Sequence, residues 1–75
     1  MSFYSWIIQN HLNDCTPTGT VARVMKANSP MFRRARGYTK NRIYLERLTN
    51  RPENLDAFEK AWETYGKLNT QERHA

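Results

Sequence analysis

The sequence predicts an all-α protein: a compact four-helix bundle forming a single domain over residues 1–68, with residues 69–75 as a flexible C-terminal tail. Three observations predict it. Leu55, Phe58, Trp62 and Tyr65 recur at i, i+3, i+7 and i+10 while Glu59, Lys60 and Glu63 fill the opposite side, the pattern of a surface helix with one buried wall. Helix-start signals stand at Thr16-Pro17 and Asn50-Arg51-Pro52-Glu53, and no segment alternates with the period of a strand. At 75 residues with one cysteine, the chain is near the size at which a core must form without disulfides, and its two Trp, four Tyr and three Phe supply the apolar area that does it.

The first helix is expected from about Ser2 to Leu12, with Ser2 as N-cap. Phe3, Trp6, Ile7 and Asn10 form one stripe, flanked by Tyr4, Ile8 and Leu12, so this helix should be well buried. Asn13-Asp14 favours a turn. Thr16-Pro17 opens the second helix, since threonine caps and proline at the first position gives up only an amide without a helical partner. Val21, Ala22, Val24 and Met25 form its apolar side, and Gly19 marks a close approach. Asn28-Ser29-Pro30 stops it, because the residue before a proline is pushed out of helical geometry. Met31 to Gly37 reads as an irregular, strongly basic loop anchored by Met31 and Phe32, with Gly37 at a turn of positive φ.

A third helix is expected from about Thr39 to Leu48, burying Tyr44, Leu45 and Leu48 with Ile43 at the edge. The fourth starts after Asn50, whose side chain pairs with Glu53 in a capping-box-like arrangement, and Gly66 closes it. Asp56–Lys60 and Glu63–Lys67 are favourable i,i+4 pairs, each contributing ~0.3 kcal/mol. Trp62 is placed in the core, where truncation to alanine is expected to cost ~3–5 kcal/mol.

Charge is unevenly spread. The formal net charge is +5, yet the segment from Arg23 to Arg51 holds nine basic residues against the single acid Glu46, while the remainder is net acidic. Such a block points to a polyanionic partner or a charge-complementary protein. A membrane span is not expected, since the longest uncharged stretch, residues 1–13, is short and polar. The lone Cys15 fits a reducing, cytoplasmic setting.

The aromatic landmarks resemble the YozE-like family of small bacterial proteins. The matching pieces are Ser2-Phe3-Tyr4-Ser5-Trp6-Ile7, Val21-Ala22, Asn28-Ser29-Pro30-Met31-Phe32, Tyr38 with Tyr44-Leu45-Glu46, and Phe58-Glu59-Lys60-Ala61-Trp62-Glu63-Thr64-Tyr65. The resemblance implies a SAM-like helical fold and, the family being largely uncharacterised, little about function. Two departures stand out: Asn41 occupies a position where the family tends to an apolar residue, with Ile43 expected to substitute from nearby, and the run from Arg33 to Arg36 is more basic than the family pattern.

No catalytic residues, cofactor or metal ligands are expected. Cys15, His11 and Asp14 are the only nucleophile, base and acid in proximity, across a helix end, and Cys15 reads better as a semi-buried filler. One cysteine and two histidines 63 residues apart do not make a zinc site. Glu59 and Glu63 fall on a solvated helix face rather than in a cleft. Trp6, Trp62, Phe58 and Phe32 have the spacing of core residues rather than of stacking platforms, and Tyr38 is left open between core and contact surface. The basic block is the feature with functional content. Arg33, Arg34 and Arg36, with Lys40 and Arg42, are the candidate nucleic-acid-binding patch. Arg47 is read with them, and the packing of the third helix decides on which side it and Arg51 fall. The first expectation is a non-enzymatic module binding nucleic acid, DNA before RNA, mainly through phosphates. The alternative is a protein-interaction or self-association module using a SAM-like surface. In that reading the basic segment meets an acidic protein surface, such as Glu53, Asp56, Glu59 and Glu63 of a second copy, or a host protein met by a phage or mobile-element product.

Overall fold

A computed structural model describes the backbone of residues 2–74 and the side chains of residues 2–68. It contains α1 (Phe3–His11), α2 (Pro17–Ala27), α3 (Ser29–Arg34), α4 (Gly37–Leu48) and α5 (Pro52–His74), and no strand occurs among the described residues. The four long helices are those expected; α3 is a short addition.

Local chemistry sets the boundaries. Ser2 adopts extended backbone and its hydroxyl accepts from the Ser5 amide at 3.2 Å, which starts α1. The chain then turns at Asn13-Asp14, where the guanidinium of Arg23 donates to the carbonyls of Leu12 and Asp14 at 3.0 and 2.9 Å. Those carbonyls lie just beyond α1 and lack helical partners, so Arg23 performs the closing function. Thr16 caps α2 by accepting from the Gly19 amide at 3.3 Å, with Pro17 first in the helix.

Asn28 ends α2 and begins α3. Its side chain donates to the Val24 carbonyl at 2.9 Å, while its own carbonyl accepts from the Met31 amide at 3.1 Å. Pro30 therefore does not open an irregular loop, as expected, but lies in the first turn of a new helix, where a missing amide costs nothing. Gly37 has φ 79°, in the left-handed region, and carries the chain into α4. Asn50 does not cap α5. The first helical bonds are accepted by the Arg51 carbonyl, from the amides of Asn54 and Leu55 at 3.1 and 3.2 Å. The α5 helix also continues through Gly66 instead of closing there. A single glycine in an otherwise helix-favouring run costs only ~1 kcal/mol, too little to end a helix. The side chains of residues 69–75, expected as a flexible tail, lie outside the described residues.

At ~1.5 Å per residue the 23 residues of α5 run about 34 Å, close to the 37 Å long dimension of the molecule. Against it lie α1, α2 and α4, while α2 meets each of the other four helices. The core comprises Phe3, Trp6 and Ile7 of α1, Val21, Ala22 and Met25 of α2, Phe32, Leu45, and Ala57, Phe58 and Ala61 of α5. The buried stripe of α5 thus passes through Ala57 and Ala61 as well as Phe58, and these small side chains let a neighbouring helix come close. Trp62, expected in the core, is half-buried at its margin: its ring centroid lies 4.7 Å from Phe3 and 5.8 Å from Tyr38. Leu48 and Ile43, expected buried and peripheral, are both exposed, at 39% and 41%. Consequently Ile43 does not substitute for an apolar residue at position 41; Asn41 itself is buried, 3% exposed.

Candidate nucleic-acid interface

Helical phase sorts the basic residues. From the N-cap Arg36, positions Lys40, Ile43 and Arg47 follow at steps of four, three and four, which keeps them on one side of α4. All of these side chains are exposed. Arg42 lies on the other side of α4, held between Glu46 at 2.9 Å and Glu59 of α5 at 3.0 Å. It is a tie between helices, expected in the binding patch but with two of its guanidinium nitrogens already meeting carboxylates of its own chain. Arg23 is likewise committed, to the α1–α2 turn.

Arg33 and Arg34 form the last turn of α3, where cations oppose the negative end of the helix dipole. Arg33 also lies over the ring of Tyr4, 5.8 Å from its centroid. Arg33 and Arg36 border the same hollow beside the start of α4. The structure therefore brings Arg33 and Arg36 to one hollow and Arg36, Lys40 and Arg47 to one side of α4, with Arg34 exposed on α3.

The charge balance around these cations is asymmetric. Every carboxylate on a described side chain has a basic neighbour in its own chain. Asp14 meets His11 at 2.7 Å, and Glu46 and Glu59 share Arg42. Glu53 meets Arg51 at 3.7 Å, Asp56 meets Lys60 at 3.2 Å and Glu63 meets Lys67 at 3.4 Å. Among the described residues, Arg23, Lys26, Arg33, Arg34, Arg36, Lys40 and Arg47 have no acidic partner, Arg23 being held by backbone carbonyls. The positive charge of the described molecule is concentrated on that set.

Tyr38 is half-buried and packs against the core. Its ring stacks on Phe58 with centroids 5.7 Å apart, and its hydroxyl donates to Glu59 Oε1. The hydrogen bond to Glu59, then burial, holds the phenol above its ordinary pKa, with Arg42 acting in the opposite sense. His11 is half-buried, edge-on to Trp6 with centroids 5.4 Å apart. Cys15 is exposed rather than semi-buried, and among the described residues no hydrogen bond joins it to His11. No group of three potential metal ligands occurs among the described residues, and no described helix is long and apolar enough to cross a membrane.

One polar residue of consequence was not singled out for function by sequence reasoning. Asn41 donates from Nδ2 to the Gly37 carbonyl at 2.8 Å, and its Oδ1 is buried without a partner among the described residues. Its signal was an amide at a position of apolar pattern.

Helices closed around one aromatic core, with cations exposed on α3 and one side of α4, define a small all-α domain. The chain belongs to the YozE family with the SAM-like fold, whose model matches residues 2–67. No curated protein and no solved structure matches it.

Proposed function

We propose that this protein is a non-enzymatic module that binds nucleic acid through its phosphates, using Arg33, Arg34 and Arg36 with Lys40 and Arg47. The observation that supports this most is the asymmetry of pairing: described carboxylates are matched within the chain, while the cations of α3 and the outer side of α4 are not. Arginine forks suit phosphate oxygens, and unpaired cations reach them without first breaking an ion pair. DNA is favoured over RNA because an exposed helix flanked by cations fits the wide major groove of B-form DNA and not the deep, narrow one of A-form RNA. The same asymmetry weakens the alternative, self-association through the acidic side of α5, because Glu53, Asp56, Glu59 and Glu63 each already have a basic neighbour in the chain.

Fluorescence anisotropy of a labelled DNA duplex at low and moderate salt tests this, with Arg33/Arg34/Arg36→Glu as comparison and circular dichroism to verify folding. Binding by the wild type that the triple variant lacks is expected. A wild type that binds no duplex at low salt removes the proposal. Light scattering in the same buffers addresses self-association, for which a salt-sensitive dimer would be the signature.

A further inference from the structure

The buried positions of α4 are Asn41 and Leu45. Ile43 is two residues from each, which at 3.6 residues per turn puts it about 160° round the helix from both. It therefore occupies the outermost line of α4, and it is 41% exposed. Its neighbours on the helix surface, at i−4, i−3, i+3 and i+4, are Thr39, Lys40, Glu46 and Arg47, all exposed and none apolar.

A single exposed isoleucine is ordinary on a protein surface. Ile43 is set apart by its company. Lys40 and Arg47, which have no acidic partner among the described residues, stand on either side of it along the helix, about 10 Å apart at 1.5 Å per residue. Arg36 continues the same side. Glu46, the one acid of α4, is engaged by Arg42 at 2.9 Å. An apolar tip on a convex, cationic helix is complementary to a groove with anionic walls and an apolar group on its floor. The major groove of B-form DNA has both. It is ~12 Å wide, against ~10–12 Å for a helix with its side chains, it runs between two rows of phosphates, and its apolar group is the C5-methyl of a pyrimidine. Double-stranded RNA offers neither the width nor, with uracil, the methyl.

We infer that α4 is the helix that enters the major groove and that Ile43 reads the C5-methyl group of a pyrimidine there, carried by thymine or by methylated cytosine. This reading rests on the function proposed above and adds to it the residue that touches a base. Arg36, Lys40 and Arg47 hold phosphates, which set the register without distinguishing sequences, and Ile43 supplies the discrimination. One methyl group buried against it is worth about fourfold in affinity.

Fluorescence anisotropy at low salt tests it with labelled duplexes of one length: alternating A·T, the same with uracil for thymine, alternating G·C, and the same with 5-methylcytosine. Within each pair only the methyl differs. The wild type is expected to bind the methylated member about fourfold more tightly. Ile43→Ala, verified as folded by circular dichroism, should bring that ratio close to one, whereas Ile43→Leu should keep most of it. Arg42→Gln, which removes a tie on the other side of α4, should leave the ratio at the wild-type value. A preference within the A·T pair alone identifies thymine as the source, one within the G·C pair alone identifies methylated cytosine, and both together identify the methyl on either base; each upholds the inference. Duplexes bound equally well with and without the methyl overturn it while leaving the function proposed above in place. A preference that survives in Ile43→Ala overturns it too. Failure of the wild type to bind any of the duplexes removes both.

Discussion

Gly19 sits where a side chain has no room: a Cβ there would fall 1.9 Å from the Asp14 carbonyl oxygen, a backbone atom that cannot swing aside. That carbonyl is itself held by Arg23, so relief would need the whole α1–α2 turn to shift. Gly19→Ala should therefore destabilise the protein by about 1–3 kcal/mol, as overpacking does, in urea denaturation. Gly66 is the contrasting case. It lies within α5 and a Cβ there meets nothing within 4 Å, so Gly66→Ala should stabilise by up to ~1 kcal/mol in the same assay. A second residue-scale outcome concerns Tyr38. Its neutral hydroxyl is the donor to Glu59, and its pKa is raised above the ordinary value of 10.0. Raised folding-state affinity for the proton means that the bond's contribution is complete below the unfolded phenol pKa and is lost as pH rises through the higher folded one. The stability difference between wild type and Tyr38→Phe should hold constant from neutral pH to pH 9 and shrink above pH 10. A difference that grows with alkaline pH would contradict the assignment.

At the scale of the element, α5 illustrates what periodicity conveys and what it leaves out. The stripe Leu55, Phe58, Trp62, Tyr65 identified a helix with one buried wall, but a helical wheel has no partner in it. The partner decides which edge of the stripe goes deepest. Here the deep edge passes through Ala57 and Ala61, and only Phe58 of the rings is wholly enclosed. Truncation should follow that order: Phe58→Ala about 3–5 kcal/mol, and Trp62→Ala, half-buried at the margin, nearer 2 kcal/mol by thermal or urea melts. Equal losses would place Trp62 in the core after all. Boundaries that depend on a residue's own chemistry were legible in the sequence: Ser2 and Thr16 cap where a hydroxyl precedes a helical run, and Gly37 takes positive φ. Boundaries that depend on competition were not. Asn28-Ser29-Pro30 signals a stop and a start with the same residues, and only the placement of Phe32 in the core makes α3 worth forming. The candidate interface was legible to a similar degree. A count of basic residues found the segment, but Arg42 and Lys40 differ only in which side of α4 faces α5, and that is a property of packing.

Over the whole molecule, pairing within the chain converts a diffuse net charge into a located one, and salt dependence can read the location. Each phosphate neutralised releases counterion and adds ~0.9 to the slope of log affinity against log salt. If Arg33, Arg34 and Arg36 each meet a phosphate of duplex DNA, replacing all three by glutamine should reduce that slope by about 2.7. Lys40/Arg47→Gln should reduce it by about 1.8, because both lie on the outer side of α4. Arg42→Gln is the informative contrast. Its guanidinium bridges Glu46 and Glu59, so its removal should leave the slope unchanged while lowering stability by less than about 1 kcal/mol, as expected for exposed ion pairs. A count of basic residues alone predicts the same loss of slope for Arg42 as for Lys40. A measured slope that falls equally in Arg42→Gln would show that total charge, and not the unpaired cations of α3 and α4, governs binding.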